Sequence, residues 1–271
     1  MGRFNSFNQK IDISSLQRCS TIPYYVIIPT YNEIDNIGEL ISRLTRTLDP
    51  LNIEYKILVV DDNSPDGTWK KVQEIMEDNK HVELIIREKK EGIGAAIKHG
   101  IRYVLEKTNA EYVATMDADL SHRPEDLAKM IRYSRDADLV QASRYIEGGK
   151  IIGWGPHRKL ISWVANTLVR HIYRTGLHEH TTNYRIYKRW LAEKIIKYTR
   201  SKSYEWVIEA LLVSIACGAK IVEVPTTFIN RIKGKSKLGL IDILDWFKYI
   251  VTFRTRFKEI RSVCRESASK S

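Results

Sequence analysis

Two aspartates separated by one residue, Asp117 and Asp119, directly follow residues 112–116, an apolar run typical of a buried strand. In an extended backbone, residues two apart point to the same side, so both carboxylates should face one point. At about 4 Å two such anions repel by roughly 4 kcal/mol at an effective dielectric constant near 20, so a cation, an arginine or a proton must intervene. Because Mg²⁺ and Mn²⁺ are commonly held by one or two carboxylates plus substrate phosphates, the pair predicts a metal and diphosphate site. The alternative is an aspartate turn ahead of a helix that starts near Pro124.

Polar residues also follow the other apolar runs. Tyr31 and Glu33 come after the first run, Asp61 and Asp62 after the second, and Arg144 after the fifth. A tyrosine can stack on a base, and a carboxylate can accept hydrogen bonds from base N–H groups or ribose hydroxyls. These residues predict a nucleoside site. The glycines of the segment 92–94 read as a turn before a helix, since the full dinucleotide-binding fingerprint is missing.

The elements that must position these residues alternate between strand and helix. Apolar runs predict strands, and apolar residues three or four apart predict helices. The predicted strands are 24–29, 55–60, 82–86, 112–116 and one containing Leu139 and Val140; the predicted helices are 35–48, one ending at 76, 95–105 and 125–133. Such alternation indicates an α/β fold with a mostly parallel sheet and helices on both faces. Ligands of such sheets bind at the carboxyl ends of the strands.

The charge is divided unevenly along the chain. The net charge is +11, but residues 1–140 carry −4 and residues 141–271 carry +15. A basic half of this kind suggests a polyanionic partner, namely nucleic acid, anionic lipid or phosphate. Nucleic acid is disfavoured because no recognition module is visible and the acidic strand ends would repel a phosphate backbone.

Three features bear on location. Cys19, Cys217 and Cys264 are scattered without metal-ligand spacing, which predicts unpaired thiols in a reducing compartment. The N-terminus lacks the apolar core of a signal peptide, and the longest uncharged runs are far shorter than the roughly 20 residues of a spanning helix. We predict three parts: a loose segment 1–20, a catalytic domain 21–237, and a helical, basic tail 238–271.

Six segments make the family resemblance specific. In order they are IPTYNEIDNI, VVDDNSPDGT, EGIGAAIKHGI, MDADLSHRPEDL, ASRY and NRIKGKSKLG. Together they resemble the family-2 glycosyltransferases of GT-A (Rossmann-like) type, and most closely the dolichol-phosphate mannose synthases. The resemblance implies an inverting transfer of a hexose from a GDP-sugar to a polyprenyl phosphate, with Mg²⁺ or Mn²⁺ as cofactor.

The resemblance also implies roles for individual residues. The nucleoside would contact Pro29, Tyr31, Glu33, Val59 and Asp61. Metal and diphosphate would contact Asp117, Asp119 and the backbone of Ala118, while donor and acceptor phosphates would contact Arg144, Arg231 and Lys237. Asp119 and Arg144 would be the catalytic residues. Since a phosphate monoester is largely dianionic at pH 7, no side chain need remove its proton.

One stretch departs from the family. Where such synthases usually show an Asp-x-Thr-Ser-Gly-Phe-Arg-like run, this chain has residues 179–185, of which only Arg185 and the general character agree. The departure bears on the identity of the sugar: mannose from GDP-mannose is favoured, and glucose from UDP-glucose is the alternative. His178 and His180 nearby read as solvated loop residues or as metal ligands.

Two stretches predict amphipathic helices at a membrane interface. Residues 158–174 carry apolar residues at helical spacing among basic ones, and residues 240–260 carry a wide apolar face with Trp246, Phe247 and Phe253. Aromatic residues flanked by basic ones are typical of helices that bind anionic lipid. We therefore expect a peripheral protein on the cytoplasmic face of a membrane. The alternatives are packing on the domain's own core and docking to a small membrane-spanning partner.

Other functions account for less of the sequence. A basic scaffold at a membrane surface would leave the carboxylates at the strand ends unexplained. Sugar nucleotidyl transfer would call for a glycine-rich loop with lysine or arginine after the first strand, where this chain has Pro29 to Glu33. A glycosyltransferase is therefore the preferred prediction.

Overall fold

The fold is described from a computed structural model, which covers residues 23–230 and 240–268. The strands are β1 (Tyr24–Thr30), β2 (Tyr55–Asp61), β3 (Val82–Ile86), β4 (Tyr112–Thr115), β5 (Leu139–Ser143), β6 (Lys150–Ile152), β7 (Arg185–Lys188), β8 (Ile221–Pro225) and β9 (Thr227–Ile229). The helices are α1 (Ile34–Leu48), α2 (Thr68–Asp78), α3 (Ile93–Lys107), α4 (Asp126–Ile131), α5 (Pro156–Tyr173), α6 (Arg189–Tyr198), α7 (Glu205–Ala216) and α8 (Leu240–Ala268).

A seven-stranded sheet in the order β3-β2-β1-β4-β7-β5-β8 forms the centre, and β6 and β9 form a separate pair. Only β7 runs antiparallel to its neighbours in the central sheet, so the predicted mostly parallel α/β fold is confirmed. Along β1, Tyr25 and Ile27 pack into one apolar core and Val26 and Ile28 into another. This alternation buries both faces of the sheet, as a strand with period 2 requires when helices cover both sides.

The strand register places the polar strand ends together. β1 pairs in parallel with β2 on one side and with β4 on the other. Thr30 at the end of β1 lies opposite Asp61 at the end of β2, and Ile27 lies opposite Thr115. The residues that follow β1, β2 and β4 therefore emerge at one edge of the sheet.

Helix α8 is amphipathic, but much of its apolar face packs on the domain. Ile250, Phe253 and Phe257 are buried in the same core as α7, and the Tyr173 hydroxyl of α5 donates to the Ile250 carbonyl at 2.6 Å. The prediction that this face is available to a membrane is wrong for these three residues, because the helix lies along α7 and α5. Residues 240–245 of the predicted face have side chains outside the described residues.

The cysteines also differ from expectation. Cys217, at the end of α7, and Cys264 of α8 are joined as a disulfide across 47 residues of sequence. The prediction of unpaired thiols is wrong for this pair, because the packing of α8 along α7 brings two distant cysteines together. Cysteine content therefore gives no support for a reducing compartment. Cys19 and the predicted loose segment 1–20 lie outside the described residues.

Membrane crossing was not expected, and none of the described helices has both the length and the hydropathy that a bilayer span requires. The longest described helix is α8, with 29 residues. Its sequence is interrupted throughout by charged residues such as Lys248, Arg254 and Glu259.

We predict that Phe257→Ala lowers the free energy of unfolding by about 3 kcal/mol, because removing a buried ring loses its transfer free energy and leaves a cavity. The matched control is Val251→Ala on the same helix, where the side chain is 57% exposed against 7% for Phe257. The control should change stability by less than about 0.5 kcal/mol. Chemical denaturation measures both. Equal stabilities of the two variants would contradict the packing of α8 on the domain.

Candidate active site

A cavity of about 320 Å³ opens where β1 and β4 end. Six predicted site residues line it: Pro29, Tyr31, Glu33, Asp117, Ala118 and Asp119. The structure therefore brings together the residues that follow the first and fourth strands. This is the position at which open α/β sheets bind ligands.

The two aspartates of the predicted metal site line this cavity, and each accepts a hydrogen bond from the protein. Asp117 Oδ1 accepts from Asn183 Nδ2 at 3.0 Å, and Asp119 Oδ1 accepts from the backbone N–H of Ser121 at 3.0 Å. The second bond is the aspartate turn considered as the alternative. Leu120 within it has a left-handed φ of 60°, which is uncommon for a residue with a side chain. The turn and a metal site are compatible, since hydrogen bonds to ligating carboxylates commonly orient them.

The chemistry of these side chains fits a hard divalent cation. Asp117 and Asp119 supply carboxylate oxygens. The amide oxygen of Asn183, on the side chain that contacts Asp117, is buried and lacks a hydrogen-bond partner among the described residues. Mg²⁺ takes oxygen ligands of these kinds. Because the described residues contain no group of three or more His, Cys, Asp or Glu that could hold a metal, a cation here would need substrate oxygens as well.

Two predicted nucleoside contacts, Val59 and Asp61, are not among the residues that line the cavity. Val59 is buried in the apolar core under the sheet. Asp61 is fully buried, and its carboxylate accepts hydrogen bonds from the Thr30 hydroxyl at 2.6 Å and from the backbone N–H of Ser64 at 2.7 Å. These bonds tie the ends of β1 and β2 together. Direct contact of Val59 or Asp61 with a nucleoside stays a prediction.

Asp62, the next residue, lines the cavity instead. Burial raises the pKa of Asp62, and the Arg87 guanidinium, 2.6 Å away, opposes that effect. Arg87 also pairs with Glu91 at 2.7 Å, and Glu91 lies 3.3 Å from Lys202. A chain of ion pairs thus links the second strand end to the loop before α7.

Arg144, which follows β5, forms a buried ion pair with Glu179. Its Nε and Nη2 donate to the two carboxylate oxygens of Glu179 at 2.7 and 2.8 Å. Burial alone would raise the pKa of Glu179, but Arg144 and the hydrogen bonds from Thr181 lower it to about 2. Arg144 does not line the cavity. Burial lowers the pKa of Arg144, but the nearby carboxylates of Glu179 and Asp117 help to raise it above its usual value.

Aromatic rings surround this ion pair. The Arg144 Cζ lies 5.5, 5.2 and 5.3 Å from the ring centroids of Tyr145, Trp154 and Phe228. Arg158 of α5, which the sequence did not single out, lies 4.2 Å from the centroid of the Trp154 ring. Two guanidinium groups therefore share one indole at cation–π distance. Only the tertiary contact distinguishes Arg158 from the other basic residues at the start of α5.

The basic loop after β9 was also predicted to meet phosphates. Arg231 and Lys237 lie outside the described residues, so their roles stay predictions. The last described residue before them is Asn230, whose side-chain oxygen accepts a hydrogen bond from Arg158 Nη1 at 3.1 Å. The described part of the chain before residue 231 therefore ends beside the second of the two guanidinium groups.

His178 and His180 turn out to support the segment that holds Glu179. His180 is fully buried, with Nε2 2.7 Å from the Thr175 hydroxyl and Nδ1 3.2 Å from Asn166 Oδ1. Burial lowers the pKa of His180 to about 4, so its ring is neutral at pH 7. The reading of His180 as a solvated residue is wrong, because α5 covers the segment. His178 is half-exposed and lies 3.1 Å from Glu223.

Eight further residues line the cavity, and most of them lacked a sequence signal: Thr30, Asp62, Lys90, Gly92, Ile93, Ala96, Ser203 and Tyr204. Lys90 Nζ lies 4.0 Å from the centroid of the Tyr31 ring. The prediction of a turn before a helix holds for Gly92, which directly precedes α3, but Gly94 already lies within that helix. A Cβ on Gly94 would lie 2.5 Å from the Cβ of Trp206, so the glycine also permits close packing against α7.

The profile of the family described as Glycosyl transferase family 2 matches residues 25–196. An undecaprenyl-phosphate mannosyltransferase of Micrococcus luteus is 37% identical over 214 residues, which is 79% of this chain and 86% of that protein. A polyprenol monophosphomannose synthase of Mycolicibacterium smegmatis is 38% identical over 217 residues, 79% of this chain and 80% of that protein.

Solved structures agree on the fold. Glucosyl-3-phosphoglycerate synthase of Mycobacterium tuberculosis, in complex with Mn²⁺, UDP and its product, superposes with a TM-score of 0.65 at 16% identity and covers 91% of this chain and 84% of that one. The same enzyme with Mg²⁺ and UDP gives a TM-score of 0.63 at 17% identity, over 90% of this chain and 82% of that one. At this identity the likeness supports the shared architecture alone.

Proposed function

Because this chain belongs to glycosyl transferase family 2, we propose that it transfers mannose from GDP-mannose to the phosphate of a polyprenyl phosphate. The names of the two bacterial relatives support the mannosyl group and the acceptor class. The resemblance to dolichol-phosphate mannose synthases supports GDP as the leaving group.

One observation carries the proposal: the carboxylates of Asp117 and Asp119 share a cavity wall with Pro29, Tyr31 and Glu33. A nucleoside diphosphate needs a surface for its base and ribose next to a place for its phosphates. Tyr31 offers a ring for stacking, and Glu33 offers acceptor oxygens for N–H or O–H groups. The carboxylate pair would hold Mg²⁺ or Mn²⁺, which neutralises diphosphate charge when bound.

The proposed reaction does not require a side chain to remove a proton from the acceptor phosphate. An oxygen of the acceptor phosphate attacks the anomeric carbon of the sugar from the side opposite the diphosphate. The bond from that carbon to the diphosphate oxygen breaks, and the nucleoside diphosphate leaves with the electron pair. Since the attacking phosphate is already an anion at pH 7, the protein must mainly hold two anions in line and stabilise the leaving group.

The cationic side of the site suits the acceptor phosphate. Arg144, which the sequence assigns to phosphate contact, and Arg158 both approach the Trp154 ring. Guanidinium groups bind phosphate through their N–H donors. Because Nε and Nη2 of Arg144 already donate to Glu179, its Nη1 would supply the contact to phosphate. The buried ion pair with Glu179 would fix the orientation of the Arg144 guanidinium before the acceptor binds. Arg231 and Lys237 remain proposed phosphate contacts.

The experiment that tests this function offers GDP-mannose, GDP-glucose, UDP-glucose and UDP-galactose separately to the purified protein, with a polyprenyl phosphate and Mn²⁺. We expect lipid-linked mannose from GDP-mannose, and less than about 1% of that rate with Asp119→Asn, because neutralising one carboxylate weakens metal and diphosphate binding. Thermal melting shows whether the variant stays folded. Transfer from UDP-glucose alone would contradict the donor, and activity of a folded Asp119→Asn within about threefold of the parent would contradict the metal assignment.

A peripheral position at the cytoplasmic face of a membrane belongs to the same proposal, and helix α5 supports it better than α8. Four apolar side chains of α5 are exposed: Leu160, Ile161, Trp163 and Val164. The same helix carries Arg158, and its Ser162 hydroxyl accepts a hydrogen bond from Tyr145, the neighbour of Arg144, at 2.7 Å. An acceptor whose isoprenoid tail stays in the bilayer could thus present its phosphate to the cationic groups beside α5.

We predict that the double variant Leu160→Ser, Trp163→Ser binds vesicles containing anionic phospholipid several-fold more weakly than the parent, since apolar burial and nearby basic residues both favour binding. These side chains are 59% and 57% exposed, so the melting temperature should hold. Met76→Ser on α2, at 37% exposure, is the control for an apolar surface residue elsewhere. Co-sedimentation of the double variant at the parent's level would contradict the role of α5.

A further inference from the structure

One part of the cavity wall comes from beyond residues 25–196, which match the family profile. Ser203 and Tyr204 line the cavity from the connection between α6 and α7, residues 199–204, here called the wall loop. The loop packs on the start of α3, where the backbone N–H of Ala95 donates to the Lys202 carbonyl at 2.9 Å. A Cβ on Gly92 would lie 2.5 Å from that carbonyl oxygen, so this approach requires glycine.

A buried carboxylate holds the other side of the wall loop. Glu209 of α7 is fully buried, and it accepts the backbone N–H of Arg200 at 2.9 Å and that of Ser201 at 2.8 Å. Hydrogen bonds from backbone N–H groups to a carboxylate are charge-assisted and stronger than neutral ones. The Glu209 carboxylate therefore anchors the start of the wall loop, at Arg200 and Ser201.

Two cations from other helices complete the arrangement. Arg256 of α8 lies 2.7 Å from the Glu209 carboxylate and also donates to the Tyr198 carbonyl. Lys98 of α3 is buried, and its ammonium group donates to the Arg200 carbonyl at 3.2 Å. Burial lowers the pKa of Lys98, and the nearby Glu209 opposes that effect. Helices α3, α7 and α8 thus meet at the wall loop.

We propose that Glu209 is a positioning residue for donor binding: it holds the wall loop so that Ser203 and Tyr204 contact the nucleoside diphosphate part of the donor. The inference rests on the proposed function and sharpens it, because it assigns one wall of the donor site to a segment without a recognised motif. Because Arg256 of α8 pairs with Glu209, the packing of α8 would also contribute to donor affinity. Glu209 lies outside the cavity wall and acts through the loop.

The test is Glu209→Gln, which keeps the size of the side chain and removes its charge. With Mn²⁺ present, we expect the Kd for GDP to rise about tenfold, as loss of charge-assisted bonds to the loop implies. The KM for the donor should rise with it, while the KM for polyprenyl phosphate stays within about twofold. Amide hydrogen exchange at Arg200 and Ser201 should accelerate. A merely structural role would move both KM values together.

The matched control is Asp138→Asn. Its carboxylate also accepts a backbone N–H, that of Lys220 at 2.8 Å, but it lies away from the cavity wall. We expect the control to leave the Kd for GDP within about twofold of the parent. A control that weakens GDP binding as much as Glu209→Gln would overturn the inference, since a general loss of rigidity would then explain both.

A second variant covers the case in which Glu209→Gln fails to fold. Lys98→Met removes the ammonium bond to the Arg200 carbonyl and should raise the Kd for GDP by about threefold. If Glu209→Gln folds and binds GDP with the parent's affinity, the role of Glu209 is overturned. If Glu209→Gln does not fold, a folded Lys98→Met with the parent's affinity overturns that role instead. Either result leaves the proposed function standing. A parent that binds neither GDP nor UDP would overturn the proposed function and this inference with it.

Discussion

Four carboxylates gathered at one end of the central sheet, those of Asp61, Asp62, Asp117 and Asp119, are the constraint on which the site depends. Because β2 and β4 both pair in parallel with β1, the aspartates after these strands emerge together. Each has a separate protein partner: Asp61 has Thr30 and Ser64, Asp62 has Arg87, Asp117 has Asn183, and Asp119 has the Ser121 N–H. Unpaired anions so close would cost several kcal/mol. These partners fix the carboxylates in position. Asp117 and Asp119, which follow β4, still offer the carboxylate oxygens that a cation site requires.

The strand β7 joins this acidic edge to the basic half of the chain. It runs antiparallel between β4 and β5, so the segment before it passes both strand ends. Asn183 in that segment contacts Asp117, and Glu179 pairs with Arg144. This is the stretch in which the sequence departs from the family pattern. Asn183 and Glu179 supply polar side chains to the two sides of the site, while His180 and Asn166 hold the segment against α5.

The sequence predicts features whose signals are local. Strand ends can be read from the points where apolar runs stop, and the motif around Asp117 and Asp119 marks the cavity edge. Long-range contacts carry no such signal. Ser203 and Tyr204 reach the cavity because the wall loop and α7 pack closely on the start of α3, at Gly92 and Gly94. The apolar face of α8 is equally suitable for a core and for a membrane, so periodicity alone could not assign Phe257 to the core. Sequence also could not show which cysteines meet, since Cys217 and Cys264 are 47 residues apart.

The central claim is that the acidic edge binds a nucleoside diphosphate together with a divalent cation. Calorimetric titration of GDP into the unmodified protein, first with Mn²⁺ and then after its removal by a chelator, tests this most directly. We expect the affinity to fall at least about tenfold without the metal, because the carboxylates of Asp117 and Asp119 would then repel the diphosphate. Equal affinity in both conditions would contradict the account.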